Sequence, residues 1–333
     1  MNHLEILRHY GIRAQKSLGQ NFLVNDDILE TITDSIDITG KDILEIGPGY
    51  GALTEKILAR KPKSLTLIEL DKKMIHILHS RIIEKDLIIP SETDFQIIEG
   101  DVLKYIPGIE KKQVRTKILS KEIQQENSQK RGNSGEICVP KRDVLLSTLS
   151  KERKDGAGSS LFGEFSCYSI IANIPYYITS PILFRFLHEL ENKPDEMVIL
   201  MQKEVGDKIC KKKGYNNSYL SLALEFSCET IQEVCLVGKT NFIPAPKIDS
   251  SVLYFKRKVE YCEQKAKKFL SMTSAGFSAP RKKLISNLAN VLRITKEDLQ
   301  EIFEKLQFLE TARAEELNIE QWKQLIENIE KNN

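Results

Sequence analysis

Asp42-Ile43-Leu44-Glu45-Ile46-Gly47-Pro48-Gly49-Tyr50-Gly51 decides the reading of this chain: an apolar run carrying one acid leads into three alternating glycines. The run reads as a buried strand. A glycine turn after it lets the backbone pass close to a ligand that side chains would push away. Leu53, Ile57 and Leu58 then recur at helical spacing over residues 52–59, so the unit is strand, turn and helix. That succession is the architecture of a nucleotide-binding crossover.

Glycine spacing selects the nucleotide. The dinucleotide fingerprint G-x-G-x-x-G aims a helix N-terminus at a pyrophosphate, whereas Glu45-x-Gly47-x-Gly49-x-Gly51 sets a carboxylate just ahead of the turn. A carboxylate there repels pyrophosphate and attracts a cation. S-adenosylmethionine fits, since it carries an ammonium and a sulfonium and has no phosphate. Glu69 closes the next apolar run, where an acidic side chain binds ribose hydroxyls. Asp101, after a strand expected at 95–98, is a third acid at a strand end. A tight turn with one solvated Glu would explain any single acid. Ligands of open parallel sheets sit outside the carboxyl ends of the strands, so three acids at consecutive ends point into one crevice.

Composition bounds the rest. The 333 residues exceed one average domain, and 41% hydrophobic with 29% charged content predicts a packed core. A net charge of +2 is too small to argue for nucleic acid, so that reading rests on clustering. The six cysteines, at 138, 167, 210, 228, 235 and 262, contain no C-x-x-C pair. This argues against a zinc site and for reduced thiols, and no metal is expected. With no membrane-length apolar run and no signal core at the N-terminus, a cytoplasmic location is expected.

Before the central stretch, Arg13 and Lys16 precede Ser17-Leu18-Gly19-Gln20-Asn21-Phe22-Leu23, and Asn25 is placed to cap a helix with Ile28, Ile32 and Ile36 on one face. After it, a strand over 65–70 leads to a helix striped by Met74, Leu78 and Ile82, with His76 and His79 on its surface. Residues from about 109 to 165 break the rhythm and outrun what a parallel crossover needs. Between 110 and 155, twelve Lys/Arg stand against seven Asp/Glu, a local charge of +5, which reads as a flexible basic surface insertion. A strand over 168–172 then enters Asn173-Ile174-Pro175-Tyr176-Tyr177, and another over 197–201 ends at Gln202-Lys203-Glu204-Val205. Strands around 234–237 and 252–256 are expected as an antiparallel edge, separated by the proline-stiffened loop from Phe242 to Ser250. From about residue 258 the pattern is helical.

The Asn-Ile-Pro-Tyr stretch suits chemistry on an exocyclic amine. Such a nitrogen is a poor nucleophile because its lone pair is delocalised into the ring, so methylating it calls for acceptors that hold the amine hydrogens. The Asn173 amide oxygen and the backbone carbonyl of Ile174 or Pro175 are suitable, with Pro stiffening the turn that aims them. Tyr176 offers a face on which a flipped or single-stranded base stacks. Lys16, Lys247 and the Arg281-Lys282-Lys283 cluster would add salt-dependent phosphate contacts. Taken singly, each of these is more often a strand-end turn or a solvated charge.

On these residues the chain resembles the ribosomal RNA adenine N6,N6-dimethyltransferases, the small-subunit dimethyladenosine transferases. The matching motifs lie at 16–23, 44–54, 68–71, 100–101, 173–177, 202–205, 242–252, 277–288 and 313–317, nearly end to end. The resemblance implies an α/β Rossmann-like class I methyltransferase sheet, mostly parallel with an antiparallel edge, over 1–257. A small all-helical rRNA-binding domain over 258–333 would follow. It implies two methyl transfers to each of two adjacent adenosines near the 3′ end of small-subunit rRNA, on an immature subunit, by a monomer. Carried over by position, Asn21, Leu23, Gly47, Gly49, Glu69, Asp101 and Asn173 would contact S-adenosylmethionine. Asn173, Pro175 and Tyr176 would hold the target base, with Phe277 a second stacking residue. Two departures stand out: the 109–165 insertion has no counterpart, and Pro280 replaces an amide before the basic run. Large-subunit methyltransferases of macrolide resistance share the Asn-Ile-Pro-Tyr stretch, but the Gly-Pro-Gly turn, Gln202-Lys203-Glu204-Val205 and Arg313-Ala314-Glu315-Glu316-Leu317 favour the small-subunit branch. An assembly factor with incidental methylation is a further alternative.

Overall fold

A computed structural model describes residues 1–104, 115–116 and 167–332, so the 109–165 insertion lies outside the described residues apart from a two-residue strand. In chain order the elements are α1 (His3–His9), β1 (Phe22–Leu23), α2 (Asp26–Asp34), β2 (Asp42–Ile46), α3 (Ala52–Ala59), β3 (Ser64–Glu69), α4 (Lys72–Ile83), β4 (Asp94–Glu99) and β5 (Arg115–Thr116). They continue with β6 (Ser169–Asn173), α5 (Thr179–Phe184), β7 (Glu196–Gln202), α6 (Lys203–Ile209), α7 (Tyr219–Ser227), β8 (Cys228–Val237), β9 (Phe242–Ile243) and β10 (Ser250–Arg257). The helices α8 (Glu263–Gly276), α9 (Leu284–Leu292), α10 (Lys296–Lys305) and α11 (Ile319–Lys331) complete the chain. It divides into two compact units, Met1 with Ile38–Tyr168, and Asn2–Asp37 with Ser169–Asn333.

In the first unit β2, β3 and β4 run parallel, with Ile46 beside Ile68 and Ile68 beside Ile98. Every residue of β2 and β3 is buried, as in strands covered on both faces. β5 adds an antiparallel edge to β4. Helix α4 packs on β3 and β4 through Met74 and Leu78, as its stripe predicts, and Asp71 caps it by accepting the Lys73 N–H at 2.9 Å. His76 is exposed, whereas His79 is half-buried and desolvation lowers its pKa.

The second unit carries β6 parallel to β7, then β10 and β8 antiparallel, which is the expected antiparallel edge. β8 starts at Cys228, ahead of the expected 234, because Glu229, Gln232 and Glu233 interrupt its apolar run. Such polar side chains suit a strand with one free edge. Asn25 does cap α2, but the buried face is Leu29, Ile32 and Thr33; the helix ends at Asp34, before Ile36. The C-terminal helices close on a core of Phe269, Leu284, Leu288, Leu299, Phe303 and Trp322 that also takes in Leu222 of α7. No helix among the described residues is long and apolar enough to cross a membrane.

Candidate functional site

The glycine turn of the first unit is built by backbone geometry. Gly47, Gly49 and Gly51 have φ of 67°, 58° and 91°, left-handed values that side chains disfavour. A Cβ at Gly51 would also lie 2.8 Å from Leu78 Cδ2, so glycine lets the turn close onto α4. The fully buried Arg81 fixes that closure: Nη1 donates to the Tyr50 carbonyl at 2.9 Å, Nε to Asp86 at 2.6 Å and Nη2 to Glu55 at 2.9 Å.

Glu69 ends β3 with both carboxylate oxygens on backbone donors, Gly49 N–H at 3.0 Å and Asp71 N–H at 2.9 Å. Burial raises its pKa and these amides pull it back. A carboxylate at a strand end, with lone pairs beyond those the backbone amides use, suits a ribose hydroxyl. Asp101 follows Gly100, whose N–H donates to the Glu69 carbonyl at 2.9 Å, and accepts the Leu103 N–H at 3.0 Å. Glu45 sits differently from the expectation of a carboxylate offered to a cation. It is 1% exposed, receives the Thr54 hydroxyl at 2.7 Å, and burial pushes its carboxyl up to about 8. Alternation along β2 aims it into the core, where it ties the strand to α3. Among the described residues no group of His, Cys, Asp and Glu is placed to hold a metal ion.

The Asn-Ile-Pro-Tyr turn belongs to the second unit. Asn173 is the half-buried last residue of β6, and Pro175 leads into a 3₁₀ turn, Tyr176–Ile178. The Pro175 carbonyl accepts the Ile178 N–H at 3.1 Å, which leaves the Ile174 carbonyl as the better acceptor for an amine. Tyr176 is half-buried, and its hydroxyl lies 2.7 Å from Ser250 Oγ. Burial raises the phenol pKa, and the Ser250 hydroxyl lowers it again. Tyr177 is exposed and passes Gly19, where a Cβ would meet its ring and Pro175 at 3.3 Å. Asn21 turns its amide back to the Gly19 carbonyl at 3.2 Å. Leu23 is buried in β1, paired with Phe242, so any ligand contact from it is by backbone.

Lys16, Lys247, Arg281, Lys282 and Lys283 are all exposed, with Lys283 Nζ 3.6 Å from Glu310. Phe277 caps α8, is half-buried, and stacks on the buried Trp322 with 6.2 Å between ring centroids. Asn287, which the sequence did not single out, donates to the Gly276 carbonyl at 2.6 Å and the Ala279 carbonyl at 3.0 Å. It thereby pins the turn that presents Pro280 and the basic run. Its polar type in an apolar helical stripe was the available signal.

A model of the family "Ribosomal RNA adenine dimethylase" matches residues 11–331. Proteins named ribosomal RNA small subunit methyltransferase A are 32% identical, in Listeria monocytogenes serotype 4b over 96% of this chain and 92% of theirs, and in Bacillus cytotoxicus over 96% and 93%. Among solved structures, a dimethyladenosine transferase from Plasmodium falciparum superposes with a TM-score of 0.60 at 20% identity, covering 92% of this chain and 96% of that one. The 23S rRNA methyltransferase ErmE gives 0.59 at 18%, covering 93% and 100%. These two likenesses establish the fold as that of class I methyltransferases.

Proposed function

The chain belongs to the ribosomal RNA adenine dimethylase family, and on that premise we propose that it dimethylates N6 of two adjacent adenosines near the 3′ end of small-subunit rRNA, using S-adenosylmethionine. One observation carries the choice of subunit: 32% identity over 96% of the chain to proteins named for the small subunit. The 23S enzyme shares the fold alone. The substrate is rRNA within an immature small subunit, the enzyme acts as a monomer in the cytoplasm, and its action is part of subunit biogenesis.

When bound, S-adenosylmethionine supplies a methyl group on a sulfonium; the amine lone pair takes it and the carbon–sulfur electrons return to sulfur. The protein's part is placement. Glu69 takes the ribose hydroxyls, Gly47 and Gly49 give backbone room, and Asp101, Asn21 and the Leu23 backbone complete the cofactor contacts. Asn173 and the Ile174 carbonyl accept the two N6 hydrogens and favour the pyramidal nitrogen of the transition state, while Pro175 stiffens the turn and Tyr176 stacks the base. No general base is required, because the proton leaves to solvent after transfer. Residues 1–257 carry this chemistry. The helices of 258–333 present Arg281, Lys282 and Lys283 to rRNA phosphates, with Lys16 and Lys247 as further contacts.

The test is transfer of labelled methyl groups to unmethylated small subunits, with large subunits and free rRNA in parallel. Label on small subunits alone is expected. Label on large subunits would move the chain to the resistance-type activity, and tight particle binding without label would leave assembly as its role.

A further inference from the structure

We propose that Ser250 is a positioning residue for methyl transfer: its buried hydroxyl holds the Tyr176 ring in the orientation that stacks the target adenine. The proposal rests on the reading of Tyr176 as the stacking residue. Tyr176 sits on a three-residue 3₁₀ turn, an element too short to fix a ring by itself. What fixes it is the 2.7 Å hydrogen bond to Ser250 Oγ.

Ser250 is well placed to be the rigid partner. It is fully buried and opens β10, flanked in register by Gln202 on one side and Val237 on the other. Just before it, the Asp249 carbonyl accepts the Lys203 N–H at 3.0 Å and the Asp249 carboxylate accepts the Lys239 N–H at 2.9 Å. The hydroxyl therefore hangs on backbone tied from both sides. A ring held this way loses little freedom when a base lands on it, whereas a ring free to turn must be ordered at that moment. The neighbouring residue supplies a control. Ser251 is equally buried, but alternation along the strand turns it to the other face, against Gly206 of α6, where a Cβ would lie 2.2 Å from Ser251 Oγ.

The experiment is a double-mutant cycle on the full chain with small-subunit particles as substrate. Ser250→Ala and Tyr176→Phe are each expected to lower kcat/KM about 3- to 10-fold. The double variant should fall no further than the weaker single, with S-adenosylmethionine affinity unchanged. Ser251→Ala should match the wild type. Additive losses, or a Ser250→Ala variant with wild-type kcat/KM, would overturn the proposal. Tyr176→Ala separates the two levels: full activity there sinks the stacking role itself, whereas a large loss alongside a silent Ser250→Ala sinks only the positioning role.

Discussion

Replacing Arg81 with Met should loosen the glycine turn from a distance, because a buried guanidinium holds it. Three bonds are lost at once: to the Tyr50 carbonyl between Gly49 and Gly51, to Asp86 and to Glu55. Asp86, 12% exposed, would keep only the Met1 ammonium 3.9 Å away, and breaking a pair this far from solvent costs up to about 3–5 kcal/mol. The stranded Tyr50 carbonyl adds about 1–3 kcal/mol. Glu55 is 46% exposed and contributes little. These terms share one side chain and do not add, so the expected loss is about 3–5 kcal/mol, a large part of the roughly 5–15 kcal/mol that stabilises a domain. Urea denaturation gives the loss, and calorimetric titration with S-adenosylmethionine gives the weakened cofactor binding that should accompany it. Arg81→Lys should recover only part, because an ammonium cannot span the forked arrangement. A double variant, Arg81→Met with Asp86→Leu, should be more stable than Arg81→Met alone, since no buried charge remains. A loss under about 1 kcal/mol for Arg81→Met would refute the reasoning.

Further outcomes follow from the same geometry. Glu45 has a folded-state pKa of about 8 against an ordinary 4.5, so its favourable contribution is complete below 4.5 and is lost as pH rises through 8. Glu45→Gln should therefore gain stability relative to the wild type between pH 5 and 8, by at most a few kcal/mol; a pH-independent difference in urea midpoints contradicts this. Gly276→Ala would put a Cβ 2.3 Å from Trp322 and 2.8 Å from Leu284, costing about 1–3 kcal/mol. Trp322 is the chain's single tryptophan, so its emission reports the disturbance, and an unchanged spectrum and stability would count against tight packing there. Glu69→Ala should weaken S-adenosylmethionine binding first, whereas Asn173→Ala should abolish transfer with little loss of cofactor affinity; equilibrium binding and single-turnover rates distinguish them, and the reverse pattern would exchange the two roles.

The parts of the fold legible in the sequence are those where one physical signal dominates. Continuous burial wrote β2 and β3 as mostly apolar runs, and the left-handed turn between β2 and α3 demanded glycines. Long-range polar contacts leave no such periodic trace. Arg81 lies on the helix striped by Met74, Leu78 and Ile82, and a basic residue in that setting reads as solvated until Tyr50 and Asp86 are seen around it. Glu45 misled for the opposite reason: its place before the glycines suggested an open counter-charge, whereas strand alternation turns it inward to Thr54. The stacking of Phe277 on Trp322, far along the chain, is tertiary and leaves no local trace in the sequence. Ser250 ends a proline-stiffened loop, and nothing local in the sequence joins it to Tyr176.

The central claim is tested most directly by position-resolved mass spectrometry of small-subunit rRNA after incubation of unmethylated particles with the enzyme and S-adenosylmethionine. Two adjacent N6,N6-dimethyladenosines near the 3′ end are predicted, absent with Asn173→Ala. Methyl groups at any other position, or on large-subunit rRNA, would contradict the account.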